Sequence, residues 1–234
     1  MPQPKEASAP PRPPDKKTAA LLKKIDEAFF TFRFYPVAVK ADAKKEAFEF
    51  LQQTYKTGDE PVRQLILYQF HEHLSKAQEL KTMQNFEFFK RLNPNAEAAQ
   101  LRIQVYRSMF NYHSSLEGLV ELLHLLGNLG GDDAAKLLTH HLSFYSNIET
   151  EGMHLLRNAA IDALAHCPSP YAIRSLIRYV RYVDNEALLH RILDALGQVD
   201  KKLDTLKLPA WEKKKLREEI AHVLSQESKG THYG

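Results

Sequence analysis

The chain has 234 residues, of which 44% are hydrophobic and 26% are charged, and its formal net charge is +3. These values are ordinary for a globular protein, and the length is enough for one unit with a substantial core. No apolar run approaches the roughly 18 residues that a membrane helix needs, and no apolar segment of a secretory signal is visible. The single cysteine, Cys167, cannot form an internal disulfide. We therefore expect a cytoplasmic protein without membrane contact, in which Cys167 is a small buried side chain.

The N-terminal part of the chain divides into a tail and a capping element. Residues 1–17 are rich in proline and contain no leucine, isoleucine or valine, so we predict a disordered tail. Its run Pro10–Pro14 has an alternative role as a ligand for a proline-binding groove. Residues 18–41 begin as an amphipathic helix and end in an aromatic cluster of Phe29, Phe30, Phe32, Phe34 and Tyr35. This cluster fits either a cap over the first helix pair or a surface for self-association.

Apolar residues at helical spacing predict a succession of helices through the middle of the chain. Prolines and glycines separate them, as at Gly58, Pro61 and Pro94. We expect helices over residues 42–56, 61–80, 81–92, 96–112, 116–128, 132–146 and 151–166. The helix over 116–128 is apolar around most of its circumference, which indicates a position between neighbouring helices.

The segment His154–Val199 has the clearest internal repeat. The triplet Asp-Ala-Leu occurs at Asp162–Leu164 and again at Asp194–Leu196, and the first residues of the two copies are 32 positions apart. A period in this range is typical of stacked helical repeats. The alanines of the first helix, including Ala160 and Ala163, would let a neighbouring helix come close.

Capping residues define the helices of this segment. We predict Ser169 as an N-cap with Pro170 as the first helical residue after it. Either Asp184 or Asn185 is expected to cap the next helix, and Gly197 is expected to adopt the left-handed conformation that follows a helix end. Residues 200–226 then form a C-terminal capping helix, and residues 227–234 form a flexible tail.

These residues resemble a known family. Leu156–Leu164, which contains Arg157, and the following Pro170–Ile177 are similar to a HEAT-like repeat of the phycobilin-lyase type, in which a "V-R-x-x-A-x-x-A-L-G" helix alternates with an "A-x-x-x-L" helix. Weaker copies begin at Val62, Leu101 and Gly131. The resemblance covers residues 42–199 and implies an all-α fold, a short right-handed α-solenoid of about five HEAT-like helix pairs. It implies no activity, because many unrelated proteins use this repeat as a scaffold.

The sequence contains no convincing catalytic or metal-binding motif. His71 and His73 are two residues apart, so a helix places them on different faces, where they could not hold one ion. The adjacent His140 and His141 are little better placed to hold one ion. HExxH, cysteine clusters, phosphate-binding glycine loops and GxSxG are all missing. The HEAT-like deoxyhypusine hydroxylases bind iron through several His-Glu pairs, whereas this chain has only His71-Glu72. We predict neither enzyme activity nor a cofactor or metal.

The most distinctive surface feature is a stripe of arginines. Arg174, Arg178 and Arg181 share one helix face, with Tyr182 beside them, and Arg157 and Arg191 lie on the flanking helices. Two interpretations remain open. The arginines could form a partner-binding surface, since arginine and tyrosine are enriched at binding hot spots. Alternatively, they could pair with Asp162 and Asp194 in an internal ladder of ion pairs between repeats.

Taken together, these features favour a non-catalytic adaptor or scaffold that binds a protein or peptide partner on the solenoid surface. Nucleic-acid binding through the same arginine and tyrosine face is the alternative, because arginine suits phosphates as well as carboxylates.

Overall fold

The computed structural model of the protein describes residues 16–32, 41–79, 86–146, 152–183 and 185–230. Within these ranges the secondary structure consists of helices without any strand, which confirms the all-helical class. Two segments are short 3-10 helices, Lys76–Glu79 and Leu203–Thr205. The described part of the chain contains ten α-helices: α1 (Lys16–Phe30), α2 (Ala41–Thr57), α3 (Glu60–Ser75), α4 (Phe86–Leu92), α5 (Ala98–Leu129), α6 (Gly131–Ser146), α7 (Met153–His166), α8 (Pro170–Val180), α9 (Glu186–Lys202) and α10 (Ala210–Gly230).

The helices contact one another in two rows. In the first row α2 contacts α5, α5 contacts α7, and α7 contacts α9. In the second row α3 contacts α6, α6 contacts α8, and α8 contacts α10. Consecutive helices also join the rows in pairs, α2 with α3, α5 with α6, α7 with α8, and α9 with α10, while α1 contacts α2 and α3. None of the described helices is both long and apolar enough to cross a membrane.

Side-chain caps set the starts of three helices. Asp59 accepts a hydrogen bond from the Val62 amide at the start of α3. Ser169 caps α8 by accepting from two backbone amides, and Pro170 is the first residue of that helix, as predicted. Asn185 caps α9 by accepting from the Leu188 amide at 3.0 Å, which settles the choice within the described residues. Each cap satisfies an amide that has no partner inside the helix.

Several helix boundaries differ from the sequence prediction. Residues 96–112 and 116–128 were expected as two helices, but α5 is continuous, because no proline or glycine lies between them to break it. Gly197 does not end its helix, which continues to Lys202. An internal glycine costs about 1 kcal/mol, and the burial of Val199 in the added turn compensates for it. The last helix, expected over residues 200–226, begins only at Ala210, because α9 continues to Lys202 and a 3-10 helix follows it. It reaches Gly230, so it includes part of the expected flexible tail.

Several predictions fall on residues outside the described ranges. They concern residues 1–15 of the tail predicted over residues 1–17, the aromatic residues Phe34 and Tyr35, the alternative cap Asp184, and residues 231–234 of the tail predicted over residues 227–234. Lys16 and Lys17, expected in the first tail, are instead the first residues of α1. Of the aromatic cluster, Phe29 and Phe32 are buried, whereas Phe30 is 67% exposed. The first two therefore belong to the core under α1, as a capping role requires.

The centre of the core is the close contact of α5 with α7. Helix α7 buries Leu156, Ala160, Ile161 and Leu164 completely. A Cβ atom added at Gly127 of α5 would lie 2.6 Å from the carbonyl oxygen of Ala163, so these two backbones approach more closely than any other residue type would allow. This agrees with the prediction that the alanines of α7 admit a close neighbour.

A two-glycine turn connects α5 to α6. Gly130 has φ 76° and Gly131 has φ 85°, a conformation that residues with a side chain rarely adopt. The turn between α7 and α8 packs against it, because the Ser169 hydroxyl donates to Asp132 and the Cys167 thiol lies 3.6 Å from the Gly131 carbonyl oxygen. Two successive helix pairs are thereby held in register.

The two helical glycines Gly127 and Gly197 provide a matched test of this packing. We expect Gly127→Ala to lower the free energy of unfolding by about 1–3 kcal/mol, because the new methyl group would collide with the backbone of α7. Gly197→Ala should raise it by about 0.5–1 kcal/mol, because no atom lies within 4 Å of the added Cβ and alanine favours a helix. Urea unfolding followed by circular dichroism measures both. Equal effects of the two substitutions would contradict the close contact.

Candidate partner-binding surface

The arginine stripe lies on the outer face of α8. This helix buries Ala172, Ile173 and Leu176 against the core, which leaves Arg174, Arg178 and the following Arg181 on the opposite side. The spacing of four and three residues keeps the arginines on one face. The sequence pattern of α8 therefore determines where its charged side chains point.

A groove runs between α8 and α10 beneath the stripe. Its volume is about 260 Å³. Ile177 of α8 and Val223 of α10 supply apolar surface, and charged or titratable side chains surround them: Arg174, Arg178, Arg181, Glu219 and His222. The groove thus combines a small apolar floor with a mainly basic rim.

Arg174 is engaged within the protein. Its guanidinium lies 3.6 Å from a carboxylate oxygen of Glu212 and 3.4 Å from one of Glu219, both on α10. Because the three side chains are 18–35% exposed, solvent screens these pairs only in part. Arg174 accordingly joins α8 to α10 and contributes little free charge to the groove.

Arg157 and Arg191 also make internal contacts, in other parts of the molecule. The Arg157 side chain donates to the carbonyl oxygen of Tyr145 in the last turn of α6, at 3.1 Å, and so satisfies a helix end. Arg191 of α9 forms an ion pair with Asp162 of α7. The Arg191 pair is one rung of the predicted ladder, but Arg174 pairs with α10 instead of with Asp162 or Asp194.

Arg178, Arg181 and Tyr182 remain at the open end of the stripe. Both arginines are exposed, and neither has an ion-pair partner among the described residues. Tyr182 is 74% exposed, one of the largest values for an aromatic side chain in the described ranges. The structure therefore brings three of the six residues proposed from the sequence to one groove, Arg174, Arg178 and Arg181, of which Arg174 is paired internally. Tyr182 follows them as an exposed side chain, and Arg157 and Arg191 make structural contacts elsewhere.

The structure brings together three histidines that the sequence pattern does not connect. His71 of α3 meets His140 and His141 of α6, with ring centres 5.4 and 5.3 Å away respectively. Burial, and then the neighbouring His140 and His71, lower the pKa of His141 to about 3, so this ring stays uncharged. The residues come from helices about 70 positions apart, and the pattern within each helix gives no indication that they meet.

A second groove lies between α5 and α7 in the first row. Its apolar surface comes from Leu116, Val120 and Leu155, and its volume is about 460 Å³. Two of its acidic side chains are already paired, Glu121 with Lys44 at 2.7 Å and Asp162 with Arg191. Its rim consequently carries less unbalanced charge than the groove between α8 and α10.

Comparisons with known proteins found no relative, because no family model, curated protein or solved structure matches the chain. The similarity to HEAT-like repeats thus stays a prediction.

The different surroundings of Arg174 and Arg178 lead to a prediction about stability. Arg174→Gln should lower the free energy of unfolding by up to about 1 kcal/mol, because it removes two partly buried ion pairs. Arg178→Gln, the matched control on the same face, should change it by less than about 0.5 kcal/mol. Thermal unfolding at low and high salt measures the difference, which should shrink at high salt. A larger loss for Arg178→Gln would show that Arg178 has a structural role.

The surroundings of Cys167 predict an inert thiol. The side chain is 3% exposed, and burial, with the nearby charge of Asp132, raises its pKa to about 12. Only about one molecule in ten thousand would carry the reactive thiolate at pH 8. We expect an aromatic disulfide reagent to detect no thiol in the folded protein and one per chain in denaturant. Rapid reaction of the folded protein would contradict this.

Proposed function

We propose that the protein is a non-catalytic adaptor, and that it binds an acidic segment of a partner protein in the groove between α8 and α10. The observation that carries the proposal is the pair of exposed arginines, Arg178 and Arg181, beside the apolar floor formed by Ile177 and Val223. Arginine forms two-pronged hydrogen bonds with carboxylates, and an apolar floor holds a side chain next to them. Tyr182 adds an exposed aromatic ring at the same end.

The two rows of helices support a short right-handed α-solenoid of HEAT-like pairs as the scaffold. In such a stack each pair touches its neighbours, because a single pair cannot bury its apolar faces alone. The contacts between helices two or three places apart in the chain agree with that arrangement. A stack of this kind presents the ends and outer faces of its helices as a continuous binding surface.

Nucleic-acid binding is the second candidate. It is favoured by the exposed Tyr182 next to two arginines, since aromatic and guanidinium groups stack on bases. The net charge of +3 is small, and because Arg174, Arg157 and Arg191 are paired, the predicted arginine face keeps only Arg178 and Arg181 for a phosphate backbone. An acidic peptide, which needs only a few charged contacts, fits better.

The test compares how well the unaltered chain and a charge-reversed variant capture the partner. We expect the purified chain to retain a protein from its own cell extract after nuclease treatment, and Arg178→Glu/Arg181→Glu to lose it. With the purified partner, affinity should fall at least tenfold, because a hydrogen bond to a charged group contributes about 1.5–3 kcal/mol and 1.4 kcal/mol is a factor of ten. Fluorescence anisotropy measures that affinity, and the melting temperature should stay constant.

A matched control reverses the same amount of charge elsewhere. Lys23 and Lys24 are exposed on α1, which contacts α2 and α3 rather than α8 or α10, so Lys23→Glu/Lys24→Glu should bind normally. Equal loss in both double variants would indicate an effect of net charge and would contradict the groove. Retention that nuclease abolishes, with affinity falling steeply as salt rises, would replace the adaptor by the nucleic-acid candidate.

A further inference from the structure

We propose that a second copy of this chain binds along the exposed face of α5, so that two copies form an antiparallel dimer with twofold symmetry. Helix α5 belongs to the first row of helices, whereas the groove between α8 and α10 belongs to the second row. The dimer therefore goes beyond the proposed adaptor function and does not depend on it.

Two exposed segments of α5 lie on the same face of the helix. Residues 18 positions apart in an α-helix are separated by about five complete turns, so their side chains point the same way. Four pairs at this spacing have exposed or half-buried side chains in both members: Ala99 with Glu117, Arg102 with Val120, Ile103 with Glu121, and Tyr106 with His124. The two segments are therefore the ends of one stripe, which is about 38 Å long.

The N-terminal half of this stripe is apolar and basic. Ile103 is 52% exposed and Tyr106 is 70% exposed. Arg102 and Arg107 flank them, and neither arginine has an ion-pair partner among the described residues. Exposed apolar side chains that adjoin one another mark an interaction surface, and tyrosine and arginine are enriched at binding hot spots.

The C-terminal half of the stripe is apolar and acidic. It forms one wall of the groove between α5 and α7, where Val120 and Leu155 supply apolar surface. Glu117 is exposed and has no ion-pair partner among the described residues, whereas a carboxylate oxygen of Glu121 lies 2.7 Å from the Lys44 ammonium. A carboxylate accepts up to about four hydrogen bonds, so Glu121 can bind an arginine in addition to Lys44.

The two halves complement each other when two copies of α5 run in opposite directions. An antiparallel contact that places Arg102 opposite Glu121 of the second copy also produces these pairs: Ile103 with Val120, and Tyr106 and Arg107 with Glu117. Twofold symmetry makes each of these contacts twice. Apolar side chains then meet apolar ones and arginines meet carboxylates, whereas a parallel contact would place like charges together. This match of charge to charge along one stripe identifies the occupant as a second copy of the chain.

Analytical ultracentrifugation of the full chain at rising concentration provides the test, with the chain itself as the probe. We expect a dimer whose dissociation constant rises at least tenfold in Arg107→Glu and in Glu117→Arg, because either change places like charges opposite each other twice. An equimolar mixture of the two variants should dimerise as the unaltered chain does, because each copy then meets the opposite charge. Lys215→Glu, which reverses one exposed charge on α10 in the second row, is the control and should dimerise normally.

Three outcomes would overturn the dimer. The first is a monomer at every concentration, including a monomer that binds only a different protein. The second is equal weakening by Lys215→Glu, which would indicate an effect of net charge. The third is failure of the mixed variants to dimerise, which would exclude the pairing of Arg107 with Glu117. Circular dichroism checks that each variant is folded, and both residues are exposed, so their replacement removes no core packing.

Discussion

The contact of α5 with α7 at Gly127 and Ala163 is the constraint on which the rest of the structure depends. The carbonyl oxygen of Ala163 lies where a side chain at Gly127 would begin, so α7 could not lie this close to α5 with any other residue at that position. Helix α7 also contacts α6, α8 and α9, and it thereby connects the two rows. If this contact were wider, the helices on either side of α7 could not keep their present positions, including α8 with its arginines.

Polar contacts join the helices of the second row one step at a time. His71 meets His141 between α3 and α6, Ser146 hydrogen-bonds with Tyr179 between α6 and α8, and Arg174 pairs with Glu212 and Glu219 between α8 and α10. Such exposed or half-buried contacts add little stability individually. Their effect is on register, because each fixes how far one helix lies along its neighbour.

The elements fixed by local chemistry were predictable, whereas contacts between distant segments were not. Ser169, Pro170 and Asn185 start helices as their side chains require, and the apolar pattern of α8 placed its arginines outward. Gly197 was wrongly predicted to end its helix. The free-energy cost of a glycine inside a helix is small compared with the free energy gained by burying the turn that follows it. The pairing of Arg174 with α10 and the meeting of His71 with His141 depend on packing between helices, which periodicity within one helix does not record.

The contacts of the arginines distinguish those that join helices from those that could bind a partner. Exposure alone is weak support for a binding site, since an unpaired surface arginine is well solvated. Arg174 lines the same apolar groove as Arg178 and Arg181, but it is already paired with Glu212 and Glu219, whereas Arg178 and Arg181 have no ion-pair partner among the described residues. A partner carboxylate would meet unpaired guanidinium groups there and would not have to displace an internal ion pair. Binding at Arg174, Arg157 or Arg191 would first have to break a contact that joins two helices.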